Sequence, residues 1–382
     1  MTSKQRVRAA LSGAPVDRYP VTSLYHDLYY ADHFAELTGL PQWRRGLWRL
    51  APPEEEVELY AQMHAQAPFE LLQPQHTAPP RAWRERQELV MRDERPFLHD
   101  RETGELVPLE VPTASGHASD YHANETQYVF DRADVNARVQ VVPAERQLAD
   151  GANDYIEAMV ARFGAEEYIL SGGVIGTLYS CQQYVGLTNL FAMLVEAPEL
   201  IEYLSQRILE RNLETIRRFA AAGGDAVYID DATATSDMIS VAMYERFCLP
   251  YIREMVEEIH RLGHQAILIY FGGVADRLEQ IVATGAEGLS YEASMKGYVN
   301  DTADIAERIG DRMTLFSNID PVRVIQNGSD RELEAEITRQ AEGGRRARGF
   351  ILSTASPLTP STPLHRVQHF LALGREQGPS HN

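Results

Sequence analysis

The stretch "AILIYFGGVADRLEQI" (Ala266–Ile281) reads as a buried strand that runs into a glycine turn and then a helix. Its first six residues are apolar without a break, rich in β-branched and aromatic side chains, and end at Gly272–Gly273. In enzymes built from such units the strand end carries catalytic side chains. Here it carries Ile269, Tyr270 and Phe271, none of them an ordinary acid, base or metal ligand.

The same unit recurs along the chain. "YPVTSLY" (Tyr19–Tyr25), "FELLQP" (Phe69–Pro74), "YILSGGV" (Tyr168–Val174), "AVYIDD" (Ala226–Asp231), "GLSYE" (Gly288–Glu292), "MTLFSN" (Met313–Asn318) and "FILSTA" (Phe350–Ala355) are further buried strands. Between the later ones lie helical patterns at Pro198–Ala222, Met243–Leu262, Val274–Thr284, Thr302–Ile309, Asp330–Gly343 and Pro363–Gly374. In the first of these, Ile201, Leu204, Ile208, Ile216 and Phe219 share one stripe. The helix tails "AAGGDAVYID", "RLGHQAILIY", "ATGAEGLSYE" and "RIGDRMTLFS" repeat one device, a glycine stop with the next strand two to four residues on. Eight strands alternating with helices predict an α/β fold, a closed (β/α)8 TIM barrel. The chain is read as one barrel domain over residues 1–382. Residues 79–147 are polar and proline-broken, and are expected to form an inserted β-hairpin lid after the second strand, with "RETGELVPLEV" as the hairpin.

The bulk composition narrows the function. The 382 residues are 44% hydrophobic with a net charge of -19. So acidic a chain repels a phosphate backbone, so no nucleic-acid partner is expected. Two cysteines, Cys181 and Cys248, make neither a disulfide framework nor a cysteine-rich zinc site. No long apolar run suggests a membrane span or a signal peptide, so a cytoplasmic location is expected.

The active site of a parallel barrel sits at the C-terminal strand ends. That rule selects His26 and Asp27 after the first strand, Glu70, Gln73 and His76 on or after the second, and Tyr179, Cys181 and Gln182 after the third. It adds Asp230 and Asp231, Tyr270 and Phe271, Glu292, Asn318 and Asp320, and Ser353 and Ser356 from the remaining five. Neighbours on a strand face opposite sides. One of Asp230 and Asp231 can therefore point into the mouth as a general base while the other caps the loop over residues 232–237. Asp230, Asp231, Glu70 and Glu292 are the expected catalytic carboxylates. His26, Asp27, His76, Tyr179, Gln182, Tyr270, Phe271, Asn318 and Ser356 are the expected substrate contacts. His26, Asp27 and His76 have the chemistry of metal ligands, but no spacing fixes them around an ion, and no metal site is assigned. "SGGVIG" has glycines without the setting of a dinucleotide fingerprint.

Several blocks, in order, resemble one family. "SKQRVRAALSGAPVDRYPV" resembles the opening of the uroporphyrinogen decarboxylase superfamily, and "AAGGDAVYIDD", "RFCLPYIREMVEEIH", "SNIDPVRVI" and "GFILSTASPLTPSTPLHRV" resemble its later blocks. The resemblance implies the barrel and two activities: cofactor-free decarboxylation of a tetrapyrrole, or methyl transfer with a corrinoid protein, aided by zinc on a HxC motif. The chain departs from both. "LYHDLYYADHFAE" stands where decarboxylases carry an arginine-rich block, and Glu70 is at best the counterpart of their aspartate. The family's tyrosine falls near Cys181 and Tyr179, its serine at Asp231, and its histidine at Ala355 or Ser356. The zinc-ligand positions align with Ile269, Phe271 and Ser356, and the first two cannot bind zinc. The leading expectation is methyl or one-carbon transfer on a small organic molecule, with methylcobalamin carried by a partner protein. A decarboxylase or lyase acting on a non-porphyrin acid is the alternative, and a non-catalytic binding protein the second alternative. A homodimer is expected by resemblance.

Overall fold

The computed structural model describes residues 1–74, 77–93, 95–109, 126–295 and 297–379. Seven strands form one curled parallel sheet: β1 (Leu71–Leu72), β5 (Tyr168–Ile175), β6 (Ala226–Asp231), β7 (Gln265–Tyr270), β8 (Gly288–Tyr291), β9 (Thr314–Phe316) and β10 (Gly349–Ile351), in that spatial order. The expected first strand shrinks to a bridge, Val21 beside Leu352. Pro20 contributes only its carbonyl, which accepts from Leu352 N at 2.9 Å, and Thr22 N donates back to Leu352 O at 2.8 Å. On its other side Val21 O accepts from Glu70 N at 3.0 Å. The segment therefore bonds to residues bordering both edge strands, as in a TIM-like barrel. β1 is equally short because Pro68 and Pro74 flank it.

Alternation sorts the side chains. Ala226, Tyr228, Ile267, Ile269, Leu71, Tyr168 and Phe316 pack together in the interior, while Val227, Ile229, Leu268 and Tyr270 pack outward with the helices. Helix Ser3–Ser12 contributes Val7, Ala10 and Leu11 to the interior cluster. It is begun by a capping box between Thr2 and Gln5. The long helix expected over Met243–Leu262 is two, Val241–Phe247 and Leu249–Arg261. Pro250 has no N–H to continue the helical ladder, so the chain breaks at Cys248.

The insertion holds a separate antiparallel sheet of β2 (Gln87–Arg92), β3 (Arg95–Asp100) and β4 (Leu106–Pro108). Of the hairpin expected over residues 101–111, the described residues hold only the turn and β4; β4 pairs with β3, with Leu98 opposite Val107. Asp100 sets its turn, its Oδ1 accepting from the amides of Glu102 and Thr103 at 2.9 and 3.1 Å. Of the insertion's histidines, His99 faces Glu88 across β2 and β3. His117 and His122, like His76, lie outside the described residues.

Candidate functional site

Asp230 ends the inward-facing row of β6 and lies at the C-terminal mouth. Its Oδ2 accepts from the hydroxyl of Tyr25 at 2.5 Å, and its Oδ1 has no hydrogen-bond partner among the described residues. Tyr25 follows the first strand segment with φ +57°, a left-handed backbone that costs a non-glycine residue about 1 kcal/mol. It is held there by Gln73, whose Oε1 accepts from Tyr25 N at 2.7 Å. The Tyr25 ring also packs on Tyr228 and Phe271, with centroids 6.1 and 5.8 Å away.

Asp230, Tyr25 and Tyr228 border a cavity of about 260 Å³, lined also by Pro74, Thr77, Gly172, Gly173 and Phe219. The paired glycines let it exist. A Cβ on Gly172 would fall 2.2 Å from the Phe219 ring, and one on Gly173 would fall 2.2 Å from Tyr228. Burial pushes the Asp230 carboxyl up to about 7, against the Tyr25 bond, which favours the ionised form. A carboxyl that exchanges its proton near neutrality, with one oxygen unengaged beside a cavity, is suited to general acid–base work.

Asp231 faces the other way. Its Oδ1 accepts from Thr233 N, Thr233 Oγ1 and Ala234 N at 2.8, 2.8 and 3.0 Å, so it caps the turn after β6. Burial raises it to about 6. Glu292, just after β8, is buried and raised for the same reason. Its Oε2 accepts from Ser356 Oγ after β10, and its Oε1 accepts from Ala293 N at 3.0 Å. Glu292 and Ser356 thus form a second polar pair at the C-terminal strand ends.

Several expected site residues are placed elsewhere. Glu70 precedes β1, so it stands at the N-terminal end of the strand, where it pairs with Arg6 and with Arg18 (2.6 Å) and accepts from Val21 N at 2.9 Å. His26 is fully buried between Ser23 O (2.9 Å) and Tyr60 Oη (2.8 Å), its ring tilted against Phe69, and burial lowers its pKa to about 4. Asp27 is buried 3.7 Å from Arg45. Tyr270 points outward, and its hydroxyl meets Tyr244 Oη at 3.0 Å, so only Phe271 of that pair approaches the mouth. Asn318 is spent on structure, donating to Glu292 O and Asn300 O and accepting from Thr302 and Gln340. Tyr179 and Gln182 are half-buried on helix Thr177–Val185. Cys181 is sealed in apolar surroundings that push its thiol to about 12, far from a nucleophile's range.

The residues at the expected zinc positions do not fit the ion. Ile269 is packed in the interior, Phe271 is a hydrocarbon ring, and Ser356 is bonded to Glu292. Among the described residues no three His, Cys, Asp or Glu side chains are grouped to hold a metal.

The sequence reading passed over Tyr25, Thr77, Phe219 and Tyr228. Tyr25 closes a recognised strand segment, but nothing in its neighbourhood announces a left-handed backbone. The only textual signal was the glycine pair in "SGGVIG".

A curled parallel α/β sheet with a buried carboxyl at its C-terminal mouth defines a TIM-barrel-like fold. The family model for uroporphyrinogen decarboxylase matches residues 111–377, and the chain belongs to that family. It is 24% identical over 222 residues to the methylcobamide:CoM methyltransferase MtbA of Methanosarcina mazei, covering 58% of this chain and 61% of the relative. It is 28% identical over 178 residues to the uroporphyrinogen decarboxylase of Xanthomonas axonopodis pv. citri, covering 44% and 48%. The chain thus spans about half to three-fifths of the length of the curated relatives it matches. A solved methyltransferase from Methanosarcina mazei shares the fold, with TM-score 0.68, 20% identity and coverage of 98% and 99% of the two chains. No helix among the described residues is long and apolar enough to cross a membrane.

Proposed function

We propose that this chain is an enzyme of methyl or one-carbon transfer on a small organic molecule bound beside Asp230, working with a corrinoid protein and without zinc at the family's usual position. The observation that carries the reading is the Asp230–Tyr25 pair at the cavity, with the carboxyl raised to about 7. An acceptor that gains a methyl group loses a proton, and Asp230 Oδ1 is an unengaged base for it. Tyr25, on which Phe271 packs, fixes the carboxylate's orientation, and Tyr228 and Phe219 shape the apolar part of the space. A corrinoid presented by the partner would supply or take the methyl group. The reading carries with it one barrel domain with residues 79–147 as its lid, a homodimer, and a cytoplasmic location without nucleic-acid or membrane partners.

The test is the spectrum of methylcobalamin, free or on a corrinoid protein, incubated with the purified chain and small thiols, amines or phenols. Demethylation that depends on the chain and falls at least about 100-fold in Asp230→Asn supports the reading. No corrinoid turnover with any acceptor overturns it.

A decarboxylase acting on a non-porphyrin acid is the second reading, favoured by the same carboxyl. Raised by burial, it holds its proton to higher pH than an ordinary carboxyl and can return it to a carbanion. Release of carbon dioxide from a candidate acid distinguishes it. The cationic help it needs does not come from Arg277, which is buried on Ala234 O and Ile239 O, or from Arg323, which is exposed beside Asp320. A mouth filled by side chains and carboxylates without strong shifts would favour a non-catalytic binding protein; the cavity and the raised Asp230 carboxyl favour an enzyme.

A further inference from the structure

Among the described residues Arg218 is a buried cation without an anion. It lies in the last turn of helix Pro198–Ala221, is 2% exposed, and its Nε meets no acceptor. The other buried arginines among the described residues are all matched: Arg6 with Asp17 and Glu70, Arg45 with Asp27, Arg277 with Asp276, and Arg366 with Asp330. Arg218 has no such partner among them, in a chain with 55 acidic residues against 36 lysines and arginines. Burial pushes its pKa down to about 10, with no acid nearby to raise it.

Among the described residues its donors reach neutral acceptors only: Nη1 reaches Asn153 Oδ1 at 3.0 Å and Ala152 O at 3.4 Å, and Nη2 reaches Thr77 Oγ1 at 3.1 Å. The helix C-terminus offers at most about half a negative charge. A desolvated guanidinium so placed is incompletely compensated, and a bound anion would complete it.

Two of its neighbours lead to the cavity. Thr77 and Phe219 both line it, and Arg218 Cζ lies 4.0 Å from the centre of the Phe219 ring. The positive charge therefore stands directly behind that wall. Thr77 accepts from Arg218 with its oxygen, which leaves its own hydroxyl hydrogen free to donate.

We propose that Thr77 and Arg218 form an anion-recognition wall of the cavity, and that the small molecule bound there carries a carboxylate. Thr77 donates to the carboxylate directly, while Arg218 polarises Thr77 and supplies the opposite charge. The inference rests on the cavity being the substrate site, and adds the charge that the substrate bears. It also gives the site a polarity, with the carboxylate set apart from the proton exchanged at Asp230.

Sodium benzoate and sodium acetate serve as probes on the full chain, against sodium chloride at equal ionic strength, by calorimetry and thermal shift. We expect benzoate to bind and raise Tm, with affinity about tenfold weaker in Thr77→Val, which loses one hydrogen bond to a charged group. Binding is expected to be lost in Arg218→Met and retained in Asp230→Asn. If R218M does not fold, T77V decides alone, because Thr77 is exposed and its side chain is not part of the core. No carboxylate effect beyond chloride, or equal benzoate affinity in T77V and wild type, overturns the proposal. Loss of corrinoid turnover in D230N with benzoate binding intact separates the acid–base reading from this one.

Discussion

The hydroxyl of Tyr25 and the carboxylate of Asp230, 205 residues apart in the chain, meet at 2.5 Å across the barrel mouth. The bond joins the loop after the first strand segment to the end of β6, and it is the contact that gives Asp230 a defined orientation.

Tyr25→Phe keeps the ring and removes the donor. The bond favours ionised Asp230, so its loss moves the carboxyl further above about 7. Carbon-13 NMR of labelled aspartate carboxyls should show this upward shift, and any rate that needs the base should move to higher pH with it. An unchanged or lower pKa would show that Tyr25 does not tune Asp230.

Asp230→Asn should change how stability depends on pH. The folded-state pKa of about 7 lies above the ordinary 3.8. Between these values the native state binds more protons than the unfolded one, so stability falls as pH rises through this window. The neutral amide avoids that loss. We expect D230N to match wild type near about pH 3 and to exceed it by roughly 4 kcal/mol near about pH 8. Urea denaturation at the two pH values measures the difference; equal gaps at both would refute the assignment.

Glu70→Gln is expected to destabilise the fold by about 3 kcal/mol, because it leaves Arg6 and Arg18 without their shared buried carboxylate. Benzoate affinity should stay near the wild-type value, since Glu70 stands at the N-terminal end of β1. A loss of ligand binding in a folded variant would return Glu70 to the site.

Gly172→Ala puts a methyl group where φ is +150° and the Phe219 ring is 2.2 Å away. The expected cost is about 2 kcal/mol or more, with Phe219 displaced toward the cavity. Thermal denaturation reads the first effect and benzoate calorimetry the second. A variant as stable as wild type would mean that the ring has room to move.

The sequence carried most of the sheet. Uninterrupted apolar strands and glycine-stopped helices are local signals, and they marked β5 to β9 within a residue or two of their observed positions, while β10 stops four residues short of the expected Ala355. It carried less of the first two, because prolines shortened both to a few paired residues. At the site, strand-end position and alternation pointed to the Asp230–Asp231 pair and to a division of labour between mouth and loop cap. Glu70 misled because a single carboxylate beside a short strand does not say which end of the barrel it occupies. His26 misled because burial among Tyr60, Phe69 and Ser23 depends on the packing of distant segments.

What the sequence determined alone is periodicity: the alternation of strand and helix, the glycine stops, and the strand ends where chemistry had to be sought. What only the tertiary structure decided is company. Tyr25 reaches Asp230 because Gln73 holds its amide in a left-handed turn, and Arg218 lies behind the cavity wall because Gly172 leaves room for Phe219. Such contacts join residues far apart in the chain, and their energies depend on burial and on neighbouring charge. Both quantities are set by the folded three-dimensional arrangement, and neither by the local order of residues.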